Sequence, residues 1–443
     1  MEKDTDTLRR AFELWSSAAD FRARRDRFKR FTYGEQWSDP VDDGTGCIIT
    51  EGELARRNNH RPITNNLLRQ MVKTIVGRYR NIAAESGMYD SDAGSTDALN
   101  SMPELDARLL EEFVISGCAV QRIVAERRPG GSGVWVDNVD PRSLFVNPYR
   151  DPRGHDITFI GQMHDLTWPE IVNRFGGGSR SRIGHLRQVL DSCGDMGNAS
   201  AFAPEDLLGV AVGAQDDFFV PRPGHYRVLE TWTLEGRPVS VRGRMRMDMV
   251  WTCRWLAPDG TVLLRHNSTR ADGSHPFVIK LYPLTDGEVH SFVEDVIDQQ
   301  KSINRVLVLI DAMMATSAKG ALIFPIDQLP RNMKIDDVAE QWASPDGVIL
   351  VNGQGRAYPQ QIHTNPADSG AYRILETRLK MMEDITGVGD TLLGRNVAAN
   401  TGSALYDARV RNASLAITDL LESFIAFVQS RNRKIAKCRN YKE

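Results

Sequence analysis

Few residues in this chain have types and spacing that could carry chemistry. Gly389 and Gly394, followed by Arg395 and Asn396, superficially match a phosphate-binding loop. That loop needs Lys for the phosphates and Ser or Thr for Mg²⁺ at the last two positions, and it joins a strand to a helix. Here Arg and Asn stand in those places and a helical pattern precedes them. The sequence therefore argues against nucleotide binding at this loop.

Metal and hydrolase chemistry find equally little support. Asp140, Asp151 and Asp156 could be imagined as a metal cluster, but an Asp before a Pro, as at the first two, usually forms a turn. The chain has no HExxH, no GxSxG and no GxGxxG after a strand, and its nine histidines are dispersed. We predict no metal, no cofactor and no catalytic residue.

Composition narrows the class of protein further. A chain of 443 residues is expected to form two to four modules, and a net charge of −3 is unlike that of proteins that coat nucleic acid. The five cysteines are scattered and odd in number, which predicts reduced thiols. The charged N-terminus is unlike a secretory signal, and apolar runs such as Val306–Ile310 are far too short to span a membrane.

The first 290 residues mix helical and strand patterns. An amphipathic helix is predicted over 5–30, and its basic run RARRDRFKR is either a solvated face or a contact with DNA or an acidic neighbour. Residues 38–60 are predicted as a loop, and Thr64 as the N-cap of the next helix. The remaining predictions are a helix at Glu104–Ser116, a strand at Gly117–Arg128, a helix at Pro169–Phe175, an exposed insertion over 176–224, and antiparallel hairpins from His225.

The pattern over 291–432 is the most informative. A long helix starting at Ser291 leads into an excursion rich in Pro and Gly over 321–369. A second helix over 371–386 ends at Gly387, a natural left-handed stop. A Gly- and Asn-rich loop follows over 387–402, and then a third long helix, whose predicted apolar face contains Ile417, Leu420 or Leu421, Phe424, Val428 and Ile435.

The first of these helices has a wide apolar stripe. Its members recur at three- and four-residue spacing and are Phe292, Val296, Gln299 or Gln300, Ile303, Leu307, Ile310 and Met314. The opposite side is predicted to be polar and carries Asp295, Asp298, Lys301, Arg305 and Asp311. A stripe this wide packs on more than one neighbour, so Phe292, Val296, Ile303, Leu307 and Ile310 are predicted to serve packing within or between chains.

The end of the chain is basic. Arg431, Arg433, Lys434 and Lys437 are not offset by any acid before Glu443. They either complement the C-terminal end of the helix dipole in a soluble tail, or they form a basic patch near DNA.

The order of these patterns resembles that of the portal proteins of tailed bacteriophages, with the closest likeness to the short-tailed branch. The resemblance starts with FTYGEQW at 31–37 and RPITNN at 61–66. It continues with VDPRSLFVNP at 139–148 and is most extensive in the helix–excursion–helix–loop–helix order.

The resemblance implies an α+β portal fold. Its parts would be a wing (1–288), a first stem helix (289–319), a clip (320–369), a second stem helix (370–386), a tunnel loop (387–402), and a long wing helix with a short basic tail (403–443). A crown is expected to be minimal or absent, because the chain stops at Glu443. In the tunnel loop, Asp390, Arg395, Asn396 and Asn400 would line a DNA channel.

The implied function is structural. Such proteins form a ring, usually twelve-fold, at one capsid vertex, and they are assembled in the host cytoplasm. The ring contacts the major capsid protein, the packaging terminase and a tail adaptor protein, and double-stranded DNA passes through it without sequence recognition. Two alternatives remain from the residues themselves: another virion structural or assembly protein without a DNA channel, or an enzyme with an unrecognised site.

Overall fold

The computed structural model describes residues 2–90, 92, 95–128, 131–195, 218–241, 244–268, 273–317, 321–326, 329, 333–343, 349, 351, 359–362, 369–389 and 415–439. The helices in this part of the chain are α1 (Thr5–Ser17), α2 (Ala19–Tyr33), α3 (Glu51–Arg57), α4 (Leu67–Glu85), α5 (Thr96–Asn100), α6 (Met102–Ser116), α7 (Trp168–Phe175), α8 (Arg180–Asp195), α9 (Ile297–Ser317), α10 (Ile335–Ala343), α11 (Ser369–Thr386) and α12 (Thr418–Arg439).

The strands in the same part are β1 (Pro40–Asp42), β2 (Ile48–Thr50), β3 (Cys118–Arg128), β4 (Gly131–Asn138), β5 (Leu144–Val146), β6 (Phe159–Leu166), β7 (Tyr226–Val241), β8 (Arg244–Leu256), β9 (Val262–Asn267), β10 (Phe277–Leu281), β11 (Leu284–Thr285), β12 (Glu288–Val289), β13 (Ala321–Ile323) and β14 (Gln360–Ile362). Each of their pairings is antiparallel. The predicted α+β class is therefore confirmed.

The chain divides into two compact units. Unit one comprises residues 1–34, 67–297 and 386–443, and unit two comprises residues 35–66 and 298–385.

A five-stranded sheet of order β5-β6-β7-β8-β9 is the centre of unit one. Helix α1 covers one face of the sheet, where Phe12 and Trp15 pack with Phe145, Phe159 and Leu256. Helices α7 and α8 cover the other face, and their core residues are Ile171, Phe175, Leu186 and Leu190, which cluster with Trp232, Cys253 and Trp255. The sheet is thus covered on both faces, which explains why its strands carry large apolar side chains on each side.

A second sheet of unit one, β10-β3-β4, packs against the last helix. Ile123, Val134 and Val136 form a core cluster with Ile435 and Cys438 of α12. The predicted apolar face of this helix is confirmed, because all of its members from Ile417 to Ile435 are buried. The stretch 403–414, which was predicted to begin the same helix, lies outside the described residues.

Several predicted boundaries in unit one need correction. The single helix predicted over 5–30 is two helices, because the backbone turns at Ala18 (φ −91°, ψ 14°). The second helix ends at Gly34, whose φ of 105° lies in the left-handed region that glycine adopts without strain. The prediction of an exposed insertion over 176–224 is wrong for α8, since Leu186 and Leu190 lie in the core.

Unit two contains most of α9, together with α3, α10, α11 and two short strand pairs. The prediction of a loop over 38–60 is wrong, because this segment contains the hairpin β1–β2 and helix α3. The Thr50 hydroxyl accepts the Glu53 N–H at 3.2 Å and so caps α3. Thr64 is not the N-cap predicted for α4, which begins at Leu67; its hydroxyl instead accepts Trp37 Nε1 at 3.1 Å.

Candidate assembly and channel surfaces

The predicted stripe is partly buried, and its first two members, Phe292 and Val296, precede α9, which begins at Ile297 and not at Ser291 as predicted. Val296, Ile303 and Ile310 are buried, whereas Phe292 and Leu307 are half-buried. Met314, at the end of the stripe, is exposed. Packing of the five predicted residues between neighbouring chains stays a prediction.

Two buried amides lie on α9: Gln300, an alternative member of the predicted stripe, and Asn304, which periodicity did not single out. Gln300 Nε2 donates to the Asn65 carbonyl at 2.6 Å and to Asn304 Oδ1 at 3.0 Å. Asn304 Nδ2 donates to Gln36 Oε1 at 2.6 Å, and the Asn65 N–H donates to Asn304 Oδ1 at 3.1 Å. Gln36 and Asn65 belong to the FTYGEQW and RPITNN segments that carried the resemblance. These segments therefore attach residues 35–66 to the helix within unit two.

The polar side of α9 is partly covered by residues 39–51. Lys301 Nζ lies 2.9 Å from Asp39 Oδ2 and 2.9 Å from Glu51 Oε2. Arg305 Nε donates to Glu51 Oε1 at 2.8 Å. Both acids are buried. The segment that was predicted as a loop therefore supplies the carboxylates that pair with this side of the helix.

Large apolar side chains are exposed on both long helices of unit two. These side chains are between 44% and 55% exposed. They are Leu309 and Met314 of α9, and Tyr372, Ile374, Met381 and Ile385 of α11. On α11 the last three recur at seven and four residues, which places them on one side of the helix. Met382 faces inward and is fully buried. Helix α11 is thus apolar on two sides, which is typical of a helix that contacts another chain.

The predicted tunnel loop is described only at its start. Gly387 (φ 65°) ends α11 as predicted. Val388, the next residue, is buried and its N–H donates to Thr386 Oγ1 at 3.2 Å, so the loop is packed where it begins. The four predicted channel residues, Asp390, Arg395, Asn396 and Asn400, lie outside the described residues.

The predicted basic tail is partly buried. Arg431 is only 1% exposed, and its Nη1 donates to Asp106, which is 0% exposed. Gln121 Nε2 at 3.3 Å and the Tyr89 hydroxyl at 2.8 Å complete the hydrogen bonds of this carboxylate. Including Arg431 in an exposed basic surface was therefore wrong. Helical periodicity explains the burial of Arg431, because residue 431 lies on the same side of α12 as the buried residues 424, 428 and 435.

The other tail cations lie closer to solvent. Arg433 and Lys437 are exposed, and Lys434 Nζ donates to the Phe277 carbonyl at 2.7 Å. Both interpretations of this surface, charge at a helix end or a patch near DNA, remain open for Arg433 and Lys437.

The basic run at 22–30 is not one solvated face. Arg22 and Arg25 are buried, and Arg25 forms a bidentate pair with Glu112 at 2.7 and 2.8 Å. Lys29 and Arg30 are exposed. Arg22 and Arg25 therefore pack within unit one. They belong neither to a solvated face nor to a surface that could contact DNA.

A buried ionic cluster lies between the sheets of unit one. Glu230 is 1% exposed and accepts Arg122 Nε at 2.8 Å and Trp232 Nε1 at 2.9 Å; its Oε2 lies 3.0 Å from His164 Nε2. Burial alone would raise the pKa of Glu230, but Arg122 and these hydrogen bonds hold it well below its ordinary value. Burial lowers the pKa of His164 against the pull of Glu230. The carboxylate is thus ionised, and both of its oxygens have hydrogen-bond partners.

The three aspartates that could be imagined as a metal cluster form turns in the structure. Asp140, Asp151 and Asp156 accept the backbone N–H of Arg142 (3.0 Å), Arg153 (2.9 Å) and Arg150 (2.7 Å), as turn-forming residues do. All five cysteines are free thiols, as predicted. Over the described residues, no group of three or more His, Cys, Asp or Glu is placed to hold a metal. Nor does any helix there have the length and apolar composition that crossing a membrane requires.

Exposed apolar sides on two long helices, together with charges that pair within the chain, are typical of a protein that contacts other chains. In agreement with this class, the family profile described as "Phage P22-like portal protein" matches residues 216–438, just over half of the chain. The chain therefore belongs to the family of phage P22-like portal proteins, which is structural rather than enzymatic. The predicted resemblance is confirmed at this level, and a portal or connector role in a phage-type virion follows from it.

A chain from the neck of an empty GTA particle, computed with C6 symmetry, is 12% identical to this one. The comparison covers 82% of this chain and 76% of that chain at a TM-score of 0.38, which is too low to carry an argument. None of the curated proteins compared with the chain matches it. Assignment to the short-tailed branch stays a prediction.

Proposed function

We propose that this chain forms a closed ring, usually twelve-fold in portal proteins, at one vertex of a phage capsid. DNA would pass through the ring during packaging and ejection. The packaging terminase and a tail adaptor protein would dock on it in turn, and the major capsid protein would surround it. Assembly would take place in the host cytoplasm.

The observation that carries this proposal is the exposed apolar side of the two long helices of unit two. Side chains such as Ile374 and Ile385 are half exposed in the single chain. Helices that expose this much apolar surface are expected to be covered by other chains. A ring supplies that cover for every subunit, because a head-to-tail contact that closes leaves no apolar side unpaired.

In this account, residues 289–319 and 370–386 are the stem helices, and Ile303, Leu307 and Ile310 help to pack the stem. Residues 320–369 form the clip, and residues 1–288 and 403–443 form the wing with its long helix and basic tail. The strand pair β13–β14 is consistent with a separate clip module, because it closes the excursion between the two helices.

The stem contact is tested by an aspartate at an exposed apolar position. Ile374→Asp should leave the unfolding free energy of the single chain within about 0.5 kcal/mol, since the side chain is already half exposed. It should abolish the ring, because a charge would be buried at the contact. The measurement is the mass of the purified oligomer by light scattering. Arg373→Asp, at the neighbouring exposed residue, is the matched control and should still form rings.

A ring of unchanged mass and stability in Ile374→Asp would contradict the proposed stem contact.

The channel is proposed to be narrowest at the loop 387–402, where Arg395 would form a band of positive charge, with Asp390, Asn396 and Asn400 beside it. Contacts of this kind attract phosphate without reading bases, and they are weak enough for DNA to slide. Arg395→Glu is expected to assemble normally and to package or retain less DNA in particles. Normal packaging by this variant at low salt, with the exposed Lys73→Glu as a surface control, would contradict the channel assignment.

A further inference from the structure

Residues 35–66, which we call the strap, lie against α9 within unit two and contain no buried apolar side chain. The apolar residues of the strap are half-buried or exposed, and Ile48 is 77% exposed. Its four buried residues are Gln36, Asp39, Glu51 and Gly52. The strap therefore has no hydrophobic core of its own, although such a core is the main source of stability in a folded segment.

The side chain of Asn304 on α9 holds both ends of the strap. Its Nδ2 donates to Gln36 Oε1 at 2.6 Å, and its Oδ1 accepts the Asn65 N–H at 3.1 Å. The two ends also contact each other, because Gln36 Nε2 donates to Asn66 Oδ1 at 3.2 Å. The strap is thus a surface loop whose ends lie side by side. Such a loop can leave α9 without moving the helices that precede and follow it in the chain.

The middle of the strap is held by charge. Lys301 Nζ lies 2.9 Å from both Asp39 Oδ2 and Glu51 Oε2. Arg305 Nε donates to Glu51 Oε1 at 2.8 Å. Buried ion pairs contribute little net stability, because the loss of hydration offsets most of their attraction, and neutral hydrogen bonds only replace bonds to water. The strap is therefore expected to open at a lower free energy than α9, whose buried residues include Ile303, Val308 and Ile310.

The elements inside the strap are too short to stay folded away from α9. Strands β1 and β2 have three residues each, and α3 has seven. A lone two-stranded hairpin is marginally stable in water, and a helix as short as α3 does not persist alone. Loss of the contacts with α9 should therefore unfold the hairpin and α3 together, as one cooperative unit.

We propose that the strap is a releasable cover on α9. It opens as one unit and unfolds, while α9 and the rest of the chain stay folded. The contacts that hold the strap lie within one chain, so its release does not depend on the proposed ring. In the open form, the strap no longer covers the side of α9 that carries Gln300, Lys301, Asn304 and Arg305. The strap thus controls access to this side of the helix.

Hydrogen exchange of the full-length chain, measured by mass spectrometry of its peptides, tests the release. Asn304→Ala removes the side chain that holds both ends of the strap. Peptides from β1–β2 and from α3 should exchange at least about tenfold faster than in wild type, and by a common factor, because the lost bonds weaken only the closed form. Peptides from α9 should change by less than about twofold. Asp311→Ala, at an exposed position two turns along the same side of α9, is the control and should leave both sets of peptides unchanged.

A second variant, Lys301→Met, should give the same pattern of exchange, because the buried carboxylate of Asp39 loses this cation. Unchanged exchange in the strap of Asn304→Ala would overturn the proposal. Equal acceleration in the strap and in α9 would also overturn it, since the two would then unfold as one body.

Acylation of Lys301 by an amine-reactive ester measures the same opening from the side of the helix. The Lys301 side chain is 15% exposed while the strap is closed. Its acylation in Asn304→Ala should accelerate by the same factor as the exchange of the strap amides. Lys434, whose Nζ donates to the Phe277 carbonyl in unit one, should keep its wild-type rate. A constant rate at Lys301 beside faster exchange in the strap would mean that the strap frays without leaving α9, and it would contradict release.

Discussion

Arg431→Met is expected to lower the free energy of unfolding by about 3–5 kcal/mol, because it leaves the Asp106 carboxylate buried without its cation. Both partners are at most 1% exposed, so water cannot replace the lost charge. The remaining donors, Gln121 and Tyr89, are neutral and compensate only in part. The loss should appear in urea unfolding as a lower midpoint with an unchanged slope.

The matched control for this prediction is Arg433→Met, two residues along the same helix at an exposed position. It should change stability by less than about 0.5 kcal/mol. The double variant Asp106→Asn, Arg431→Met should recover part of the loss, since no unpaired charge is then buried. An equal loss of unfolding free energy in Arg431→Met and in Arg433→Met would mean that the buried pair does not hold α12 in place.

Glu230→Ala is expected to be destabilising by a similar amount, about 3–5 kcal/mol, for the same physical reason. It leaves the Arg122 guanidinium buried at 6% exposure and also removes the acceptor of Trp232 Nε1. Because Glu230 lies in the central strand β7, the loss should be seen in the cooperative unfolding of unit one by chemical denaturation.

A double-mutant cycle separates this charge pair from simple loss of packing. Arg122→Met with Glu230→Leu replaces both partners by apolar side chains of similar length. The double variant should be more stable than Glu230→Leu alone, because no unpaired charge remains. A strictly additive cycle, in which the two single losses sum to the double loss, would show that the pair is not coupled.

Elements with clear periodicity could be predicted from the sequence. The apolar face of α12 and the left-handed stops at Gly34 and Gly387 follow from local spacing and from the freedom of glycine. The hairpin β1–β2 and helix α3 could not be predicted from the sequence. Two strands of three residues and a helix of seven are too short to show a clear hydrophobic period. Charge counts placed Arg431 in the basic tail, although its helical position relative to Phe424 and Val428 already pointed inward.

Other features of the site depend on contacts between distant residues. Asp106 and Arg431 are 325 residues apart, so local pattern gives no sign that they pair. Gln300 was an alternative member of the predicted stripe and Asn304 was not, and only their partners Gln36 and Asn65 explain why both amides are buried. A signal did exist, because those partners belong to the segments by which the chain resembled portal proteins.

The central claim is that the full-length chain assembles into a closed ring with a hole. The most direct test is electron microscopy of the purified protein together with its mass in solution. Rings with one central, stain-filled hole are predicted, at an integer multiple of the 49.6 kDa chain mass, twelve being the usual number in portal proteins. A monomer of 49.6 kDa at all concentrations, or a closed particle without a central hole, would contradict the account.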